Sequence, residues 1–542
     1  MIRLALTRFI FRTVSATLGM HPSSTTMKTP ANYNKRSAWP DKPCAGVCLH
    51  LTSLPGPYGI GELGAAAFDF IDTLVKMGLK VWQFLPAGPT GFGDSPYQPL
   101  SGRAGNEMLI DVAALVDDGL LSQKDLDALC DLPADAVDFA ALIPRKNAVL
   151  GLVAGHFSER ATAALKLAYQ EFVEEHDSRW LRDYARFRAL KNRNHQKSWT
   201  IWPSPLRDRD PAAIRSLERS ARQEIENTRI CQFLFYRQWR KLRAYAHTQG
   251  VQLFGDLPIY VAPDSVDAWT SRELLCMNDD GTPRLVAGVP PDYFSEDGQL
   301  WGNPVYDWPA HAENGFQWWL DRLRHAIVQC DLLRIDHFRG FESYWAVPGA
   351  ATSAKDGEWL PGPGSALFDA IRDELGLGSI IAEDLGLITP EVDALRRRYN
   401  LPGMKVLQFE LARDDFDLAE IRSDCVCYTG THDSDTTRGW LSGSPGDTRK
   451  RSEIRTTKKR ALKFTAGKAR TIHRDMIRLA FSSPARLAIA PMQDYLGLGS
   501  DARLNKPGNP QNNWRWRMRD DHIDEVLVAD IANCVSLAGR DS

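Results

Sequence analysis

Apolar positions along this chain fall into short runs, each followed by loop chemistry and then by a helical pattern. From Gly46 onward the runs are Val47–Leu51, Val81–Leu85, Val251–Asp256, Asp331–Asp336, Ser379–Glu383, Met404–Phe409, Cys425–Tyr428 and Leu487–Ala490. Near-continuous apolar strands alternating with helices indicate a parallel sheet covered on both faces. A series of eight predicts an α/β fold of the (β/α)8 TIM barrel type, whose active site gathers at the carboxyl ends of the strands.

The repeats are unevenly spaced. About 165 residues separate the second run from the third, too many for one crossover helix. The segment between them has helical periodicity over Val112–Leu132, Arg145–His156, Ala161–Glu175 and Trp180–Leu190, which predicts a helical insertion over about 112–245. A second insertion, about 263–308, is rich in Pro, Gly, Asp and aromatic residues, and is expected to be a structured loop. The expected organisation is an N-terminal extension, 1–40, followed by one catalytic barrel over 41–542.

Composition narrows the class. The chain has 542 residues, is 43% hydrophobic and 25% charged, and carries a formal net charge of -2. That balance argues against disorder and against a dedicated nucleic-acid binder, which would be basic. No apolar run is long enough for a transmembrane helix, so no membrane partner is expected. Nine scattered cysteines show no zinc or disulfide spacing, and they read as buried thiols in a reducing compartment. A basic run from Arg449 to Arg470, with Glu453 as its only acid, reads as a solvated helical excursion. The first forty residues carry arginines, serines and threonines and no acid. They read either as an organelle transit peptide or as a start set too early, with Met20 or Met27 as the first residue.

The strand ends carry the chemistry. The third ends in Asp256-Leu257-Pro258, the fourth in Arg334-Ile335-Asp336-His337-Phe338-Arg339-Gly340, the fifth in Ala382-Glu383-Asp384-Leu385-Gly386. The seventh ends in Thr429-Gly430-Thr431-His432-Asp433-Ser434-Asp435. Carboxylates converging at a barrel rim beside an arginine suit glycosidic bond chemistry, in which one attacks the anomeric carbon and another donates a proton to the leaving oxygen. Asp384 and Asp435 are better read as caps or supporting groups. His337 and His432 beside Asp336 and Asp433 offer a zinc or manganese set in principle. No His-x-x-x-His or His-x-His spacing accompanies them, so no metal is expected. Gly362-Pro363-Gly364-Ser365 lacks the spacing and lysine of a phosphate loop and reads as a turn; no cofactor is expected.

The segments His50–Gly61, Asp94-Ser95-Pro96-Tyr97-Gln98, Arg334–Gly340, Ala382–Gly386 and Gly430–Asp433 resemble, in order, those of amylomaltase. This is the 4-α-glucanotransferase or disproportionating-enzyme family, glycoside hydrolase family 77, and the resemblance runs from about Gly46 to Arg517. It implies a barrel without a C-terminal β-domain and α-1,4-glucan substrates: maltooligosaccharides, or dextrins from starch or glycogen. It also implies Asp336 as nucleophile, Glu383 as acid/base and Asp433 as transition-state stabiliser. Arg334, two residues before Asp336 on the same strand face, is placed to keep that carboxylate ionised. His337 and His432 resemble hydrogen-bonding histidines at the reacting sugar. Tyr97 would stack on that sugar with Ser95 nearby, and Asp256 would bind a neighbouring sugar or orient the site. Val289–Pro304 resembles a mobile loop whose Trp301, and less strongly Tyr293, would grip the glucan and exclude water.

Three departures accompany the resemblance. Arg103 stands where an aromatic is usual, Asn512 where glycine is usual, and Ser434 where asparagine is frequent. The expected activity is glucan transfer. The alternatives are an α-1,4-glucan hydrolase on the same barrel, or a non-catalytic glucan-binding protein. The cytoplasm is the expected location, with a plastid as the alternative if the leader is a transit peptide.

Overall fold

The expected strands all form, and all eight join one parallel sheet. In the computed structural model, residues 38–541 are described, apart from 292–296, 445, 446, 448 and 510. Most of the N-terminal extension, 1–37, and Tyr293 therefore lie outside the described residues. The strands are β1 (Cys44–Cys48), β2 (Val81–Gln83), β3 (Gln252–Leu257), β4 (Leu332–Ile335), β5 (Ile380–Ala382), β6 (Gly403–Val406), β7 (Cys425–Tyr428) and β8 (Leu487–Pro491). They follow the order β6-β7-β8-β1-β2-β3-β4-β5. At the seam between β5 and β6, Ala382 N donates to Pro402 O at 2.8 Å and Met404 N to the Asp384 carboxylate at 2.6 Å, so the (β/α)8 barrel is nearly closed. Gly403 makes that seam possible, because a Cβ there would meet Asp384 Oδ2 at 2.3 Å.

The strands are buried on both faces, as a barrel filled inside and covered outside by helices requires. Most strands match the apolar runs within a few residues. The sixth is shorter than expected: Leu407–Glu410 turns helical immediately after it. Among the described residues the chain ends in helix Glu525–Leu537, not in a β-domain. Behind that helix Arg540 is buried, and its guanidinium donates to the carbonyls of Cys44, Phe481, Ser483 and Ala485 at 2.6–3.0 Å. The C-terminal turn is thereby tied to the starts of β1 and β8.

Between β2 and β3 the chain is helical, with differences from the expected pattern. The single helix expected over Val112–Leu132 is two pieces, Val112–Asp117 and the 3-10 turn Gln123–Leu129. Gly119, with φ +75°, breaks it, and a capping box at Ser122 starts the second piece. The next helices run longer or shifted: Phe139–Arg160, Ala163–His176 and Arg182–Arg193. The longest helix among the described residues, Arg222–Thr248, falls largely within the expected helical insertion but was not marked as a separate helix, because from Ile230 to Tyr236 every residue is buried and no side faces solvent.

The second insertion is more ordered than a loop. Its strands Leu285–Val289 and Gln299–Pro304 pair antiparallel and join Ser343–Pro348 and Glu358–Pro361 in a second, four-stranded sheet. The basic run forms helix Arg451–Thr465, whose Arg451, Arg455, Lys459 and Lys463 are exposed. All nine cysteines are free, but they are not all buried: Cys130, at the end of a 3-10 turn, is exposed and Cys534 is partly so.

Candidate active site

Strand register builds the centre of the site. Asp256 and Arg334 are direct partners across β3 and β4. Arg334 Nη1 donates to both Asp256 oxygens, at 2.9 and 2.7 Å, and its Nη2 lies 2.8 Å from Asp336 Oδ1. The ladder continues past the strand ends: Asp336 N donates to Leu257 O and Glu383 N to Ile335 O, both at 3.0 Å. Neighbouring strands thus deliver Asp256, then Arg334 with Asp336, then Glu383.

One buried guanidinium therefore serves two carboxylates. Burial alone would make Arg334 easier to deprotonate, but the charges of Asp256 and Asp336 outweigh that and fix it as a cation. Asp256 has no exposed side-chain surface. Its Oδ2 also accepts from the Tyr97 hydroxyl at 2.7 Å, so both its oxygens are engaged within the protein. Of the two roles expected for Asp256, this arrangement fits orienting the site.

Glu383 is held differently. Its Oε2 accepts from His337 N at 2.7 Å and its Oε1 from Leu385 N at 2.9 Å. His337 adopts the left-handed conformation, φ 49° and ψ 51°, which a non-glycine residue adopts only at a cost. That turn, immediately after Asp336, aims the His337 amide at Glu383. Burial raises the Glu383 pKa, helped by the Asp336 charge and opposed by Arg334 and the two amides, and pushes it up to about 7. A carboxyl that keeps its proton near neutrality, beside a carboxylate paired with arginine, is the division of roles that glycosidic chemistry uses.

Asp433 belongs to the opposite wall. Its Oδ2 is 3.4 Å from His432 Nε2, and Asn505 Nδ2 donates to its Oδ1 at 2.6 Å. The walls of the cleft push its pKa up, but the His432 charge and the bonds from His432 and Asn505 outweigh them and hold it at about 2. Burial disfavours a charged His432, and Asp433 outweighs that burial, leaving the His432 pKa raised. The His432 ring stacks on Tyr97 with centroids 5.0 Å apart and planes 17° from parallel. His337 by contrast is pushed down to about 4 by burial, which makes it a neutral imidazole at pH 7.

The remaining expected residues line the same cleft. Ser95 Oγ accepts from Tyr97 N at 3.2 Å, shaping the turn that presents Tyr97. The edge of one ring of the Trp301–His337 pair meets the face of the other, with centroids 4.8 Å apart and planes at 82°. Gln98 and Asn303 exchange amide hydrogen bonds at 2.9 and 3.4 Å, which ties the Tyr97 turn to the strand carrying Trp301. Asp384 bonds Met404 N and pairs with Arg396, while Asp435 accepts from Ser500 and Thr436 N. Both are supporting groups, as expected.

Sequence reasoning missed three contributors from beyond β8. Asn505 holds Asp433, Arg503 donates to Asp433 O at 2.7 Å, and Trp514 packs against Tyr97 and His432 at 6.0 and 6.1 Å. None sits at a strand end, so no local signal marked them. Arg103, one of the departures, lines a cavity of about 100 Å³ with Phe235 and Trp239, and its guanidinium faces Asp267 at 3.9 Å. Among the described residues, no group of three or more His, Cys, Asp or Glu side chains could hold a metal ion.

A parallel barrel whose strand ends bring a proton-bearing carboxyl beside an arginine-paired carboxylate has the layout of an enzyme of glycosidic bonds. Comparison with known proteins makes this specific. The family profile described as 4-alpha-glucanotransferase matches residues 49–523. A 4-alpha-glucanotransferase of Synechocystis is 43% identical over 92% of this chain and 98% of its own. The chloroplastic/amyloplastic 4-alpha-glucanotransferase of Solanum tuberosum is also 43% identical, over 88% of this chain and 82% of its own. The solved amylomaltase of Streptococcus agalactiae in complex with acarbose superposes with a TM-score of 0.87 at 35% identity, covering 92% of this chain and all of that one. The chain belongs to the 4-alpha-glucanotransferase family and is an enzyme of the transferase class.

Proposed function

We propose that this chain cuts an α-1,4 bond in a glucan and transfers the freed segment to the 4-hydroxyl of another glucan or of glucose, by a retaining double displacement. Asp336 attacks the anomeric carbon as the bond to the leaving 4-oxygen breaks. Glu383 gives its proton to that oxygen. The acceptor hydroxyl then passes its proton to Glu383 and attacks the same carbon, and Asp336 leaves. Arg334 neutralises the Asp336 carboxylate that must serve as both nucleophile and leaving group.

The observation that carries this reading is the pairing of Glu383, held by two amides with its pKa near 7, with Asp336 on the neighbouring strand against Arg334. Asp433, ionised and fixed by His432 and Asn505, stabilises the oxocarbenium-like transition state through the sugar hydroxyls. Tyr97, backed by Ser95, supplies a stacking face. His337 and Trp301 close the other side, and Asp256 fixes Arg334 and Tyr97. Water is kept from the glycosyl-enzyme by the strand carrying Trp301, which favours transfer over hydrolysis. The transferase names of the relatives support the same preference.

The substrates in this reading are maltooligosaccharides and dextrins from starch or glycogen, taken up without cofactor by a catalytic unit spanning 41–542. No helix among the described residues is long and apolar enough to cross a membrane. We favour the cytoplasm, with a plastid as the alternative. The body does not separate them, since the cyanobacterial and the plant relative match at the same 43%, and the decision rests on segment 1–40.

Two displacements at one carbon restore its configuration. Proton NMR of the products from a maltooligosaccharide donor and glucose acceptor is therefore expected to show only new α-1,4 linkages. New β linkages would refute the double displacement.

A further inference from the structure

The loop that delivers His432 and Asp433 has a support that none of the roles above uses. It leaves β7 at Thr429 and lands at Thr437, the first residue of helix Thr437–Ser442. Both feet meet one carboxylate, that of Asp494. Asp494 Oδ2 accepts from the Thr429 hydroxyl at 2.6 Å and from the Thr437 hydroxyl at 2.7 Å, while its Oδ1 accepts from Thr437 N at 2.7 Å. All three residues are buried, and Asp494 is 1% exposed.

We infer that Asp494 is a positioning residue for transfer, setting the place of His432 and Asp433 by clamping both ends of their loop. This rests on the reading of Asp433 given above. A buried carboxylate with three convergent donors forms a stiff junction, because each bond is charge-assisted and no water competes for it. The clamp stands on rigid ground. Asp494 lies in the short helix Met492–Tyr495 directly after β8, and Tyr495 OH donates to Gly46 O of β1 at 2.9 Å. Between the feet, Ser434 Oγ accepts from Thr431 N at 3.1 Å and Gln408 Nε2 donates to Asp435 O at 2.9 Å. Gln408 also bridges the loop, its N donating to Thr429 O at 3.3 Å, but Asp494 is the group that meets the side chains of both feet, Thr429 and Thr437. A shift of about 1 Å in a group that stabilises a transition state costs on the order of a hundredfold in rate.

An asparagine weakens the junction without abolishing it. With its oxygen toward Thr437 N and its nitrogen toward the two hydroxyls, both hydroxyls must turn to accept, and the charge that strengthens all three bonds is lost. Asp494→Asn is expected to lower kcat for maltotriose disproportionation by at least about tenfold with KM little changed. Thr437→Val is expected to lower kcat in the same way, and Thr437→Ser to restore it. A structural defect unrelated to the loop would instead act equally on any background, so Asp494→Asn is also placed on Asp433→Asn. There it is expected to cost no more than about threefold, since residues acting as one unit are not additive.

Equal losses on both backgrounds, or wild-type kcat in Asp494→Asn, would overturn the inference. If Asp494→Asn does not fold, the Thr437→Val and Thr437→Ser pair decides it, with equal kcat in the two counting against it. Full activity in Asp433→Asn would overturn the reading of the site and the clamp together. An impaired Asp433→Asn beside unimpaired Asp494 and Thr437 variants would overturn the clamp alone.

Discussion

Replacing Asp336 by asparagine is expected to lower turnover of maltotriose by at least about 10⁴-fold while leaving the fold intact. An amide of nearly the same shape cannot attack the anomeric carbon, so no glycosyl-enzyme forms and both half-reactions stop. The fold should survive for a structural reason. Arg334 keeps its two bonds to Asp256, so its buried charge is not left alone. Asp336 itself is partly exposed at the cleft, away from the packed interior. Steady-state kinetics and a melting curve on the same preparation check both halves. Residual activity within about tenfold of wild type would remove Asp336 from the nucleophile's role.

Glu383→Gln is expected to cost about 10³-fold with glucan donors, within the usual range for general acid–base catalysis, and to change the pH profile. The sign follows from the role. The first step needs Glu383 protonated, and its pKa lies at about 7. Wild-type activity should therefore hold below that value and fall about tenfold per unit above it. The glutamine variant has no proton to lose and should show no such alkaline limb.

A glycosyl fluoride donor separates chemistry from damage. Fluoride leaves without a proton, so formation of the glycosyl-enzyme should be far less affected than with a glucan. The variant also carries a structural cost. Both Glu383 oxygens accept backbone N–H bonds, and a glutamine must turn its amide nitrogen toward one of them, costing about 1–3 kcal/mol. An alkaline limb that persists in Glu383→Gln would assign the titration to another group.

The barrel was legible because its strands are buried on both faces and therefore stand out as uninterrupted apolar runs. The chemistry was legible for a related reason. In a barrel only the strand ends face the cleft, so Asp256, Arg334, Asp336 and Glu383 stood at predictable places, and register then made Asp256 and Arg334 partners. What stayed hidden depends on long-range packing. Asn505, Arg503 and Trp514 reach the site from an irregular segment after β8. The four-stranded sheet was hidden because its strands come from insertions after β3 and after β4, and short strands broken by glycine and proline carry little alternation. Helix Arg222–Thr248 escaped in its middle, where Ile230 to Tyr236 are all buried and no solvent-facing side breaks the run. His337 in the left-handed conformation had only a weak sequence signal, since histidine is enriched there but adopts other conformations far more often.

The central claim is transfer through a glycosyl-enzyme guarded from water, and a time course on maltotriose alone tests it most directly. With every oligosaccharide resolved from the first minutes, glucose and maltopentaose should rise together, followed by longer chains. Glucose and maltose rising with nothing longer than maltotriose would contradict the account, because water would then be the acceptor.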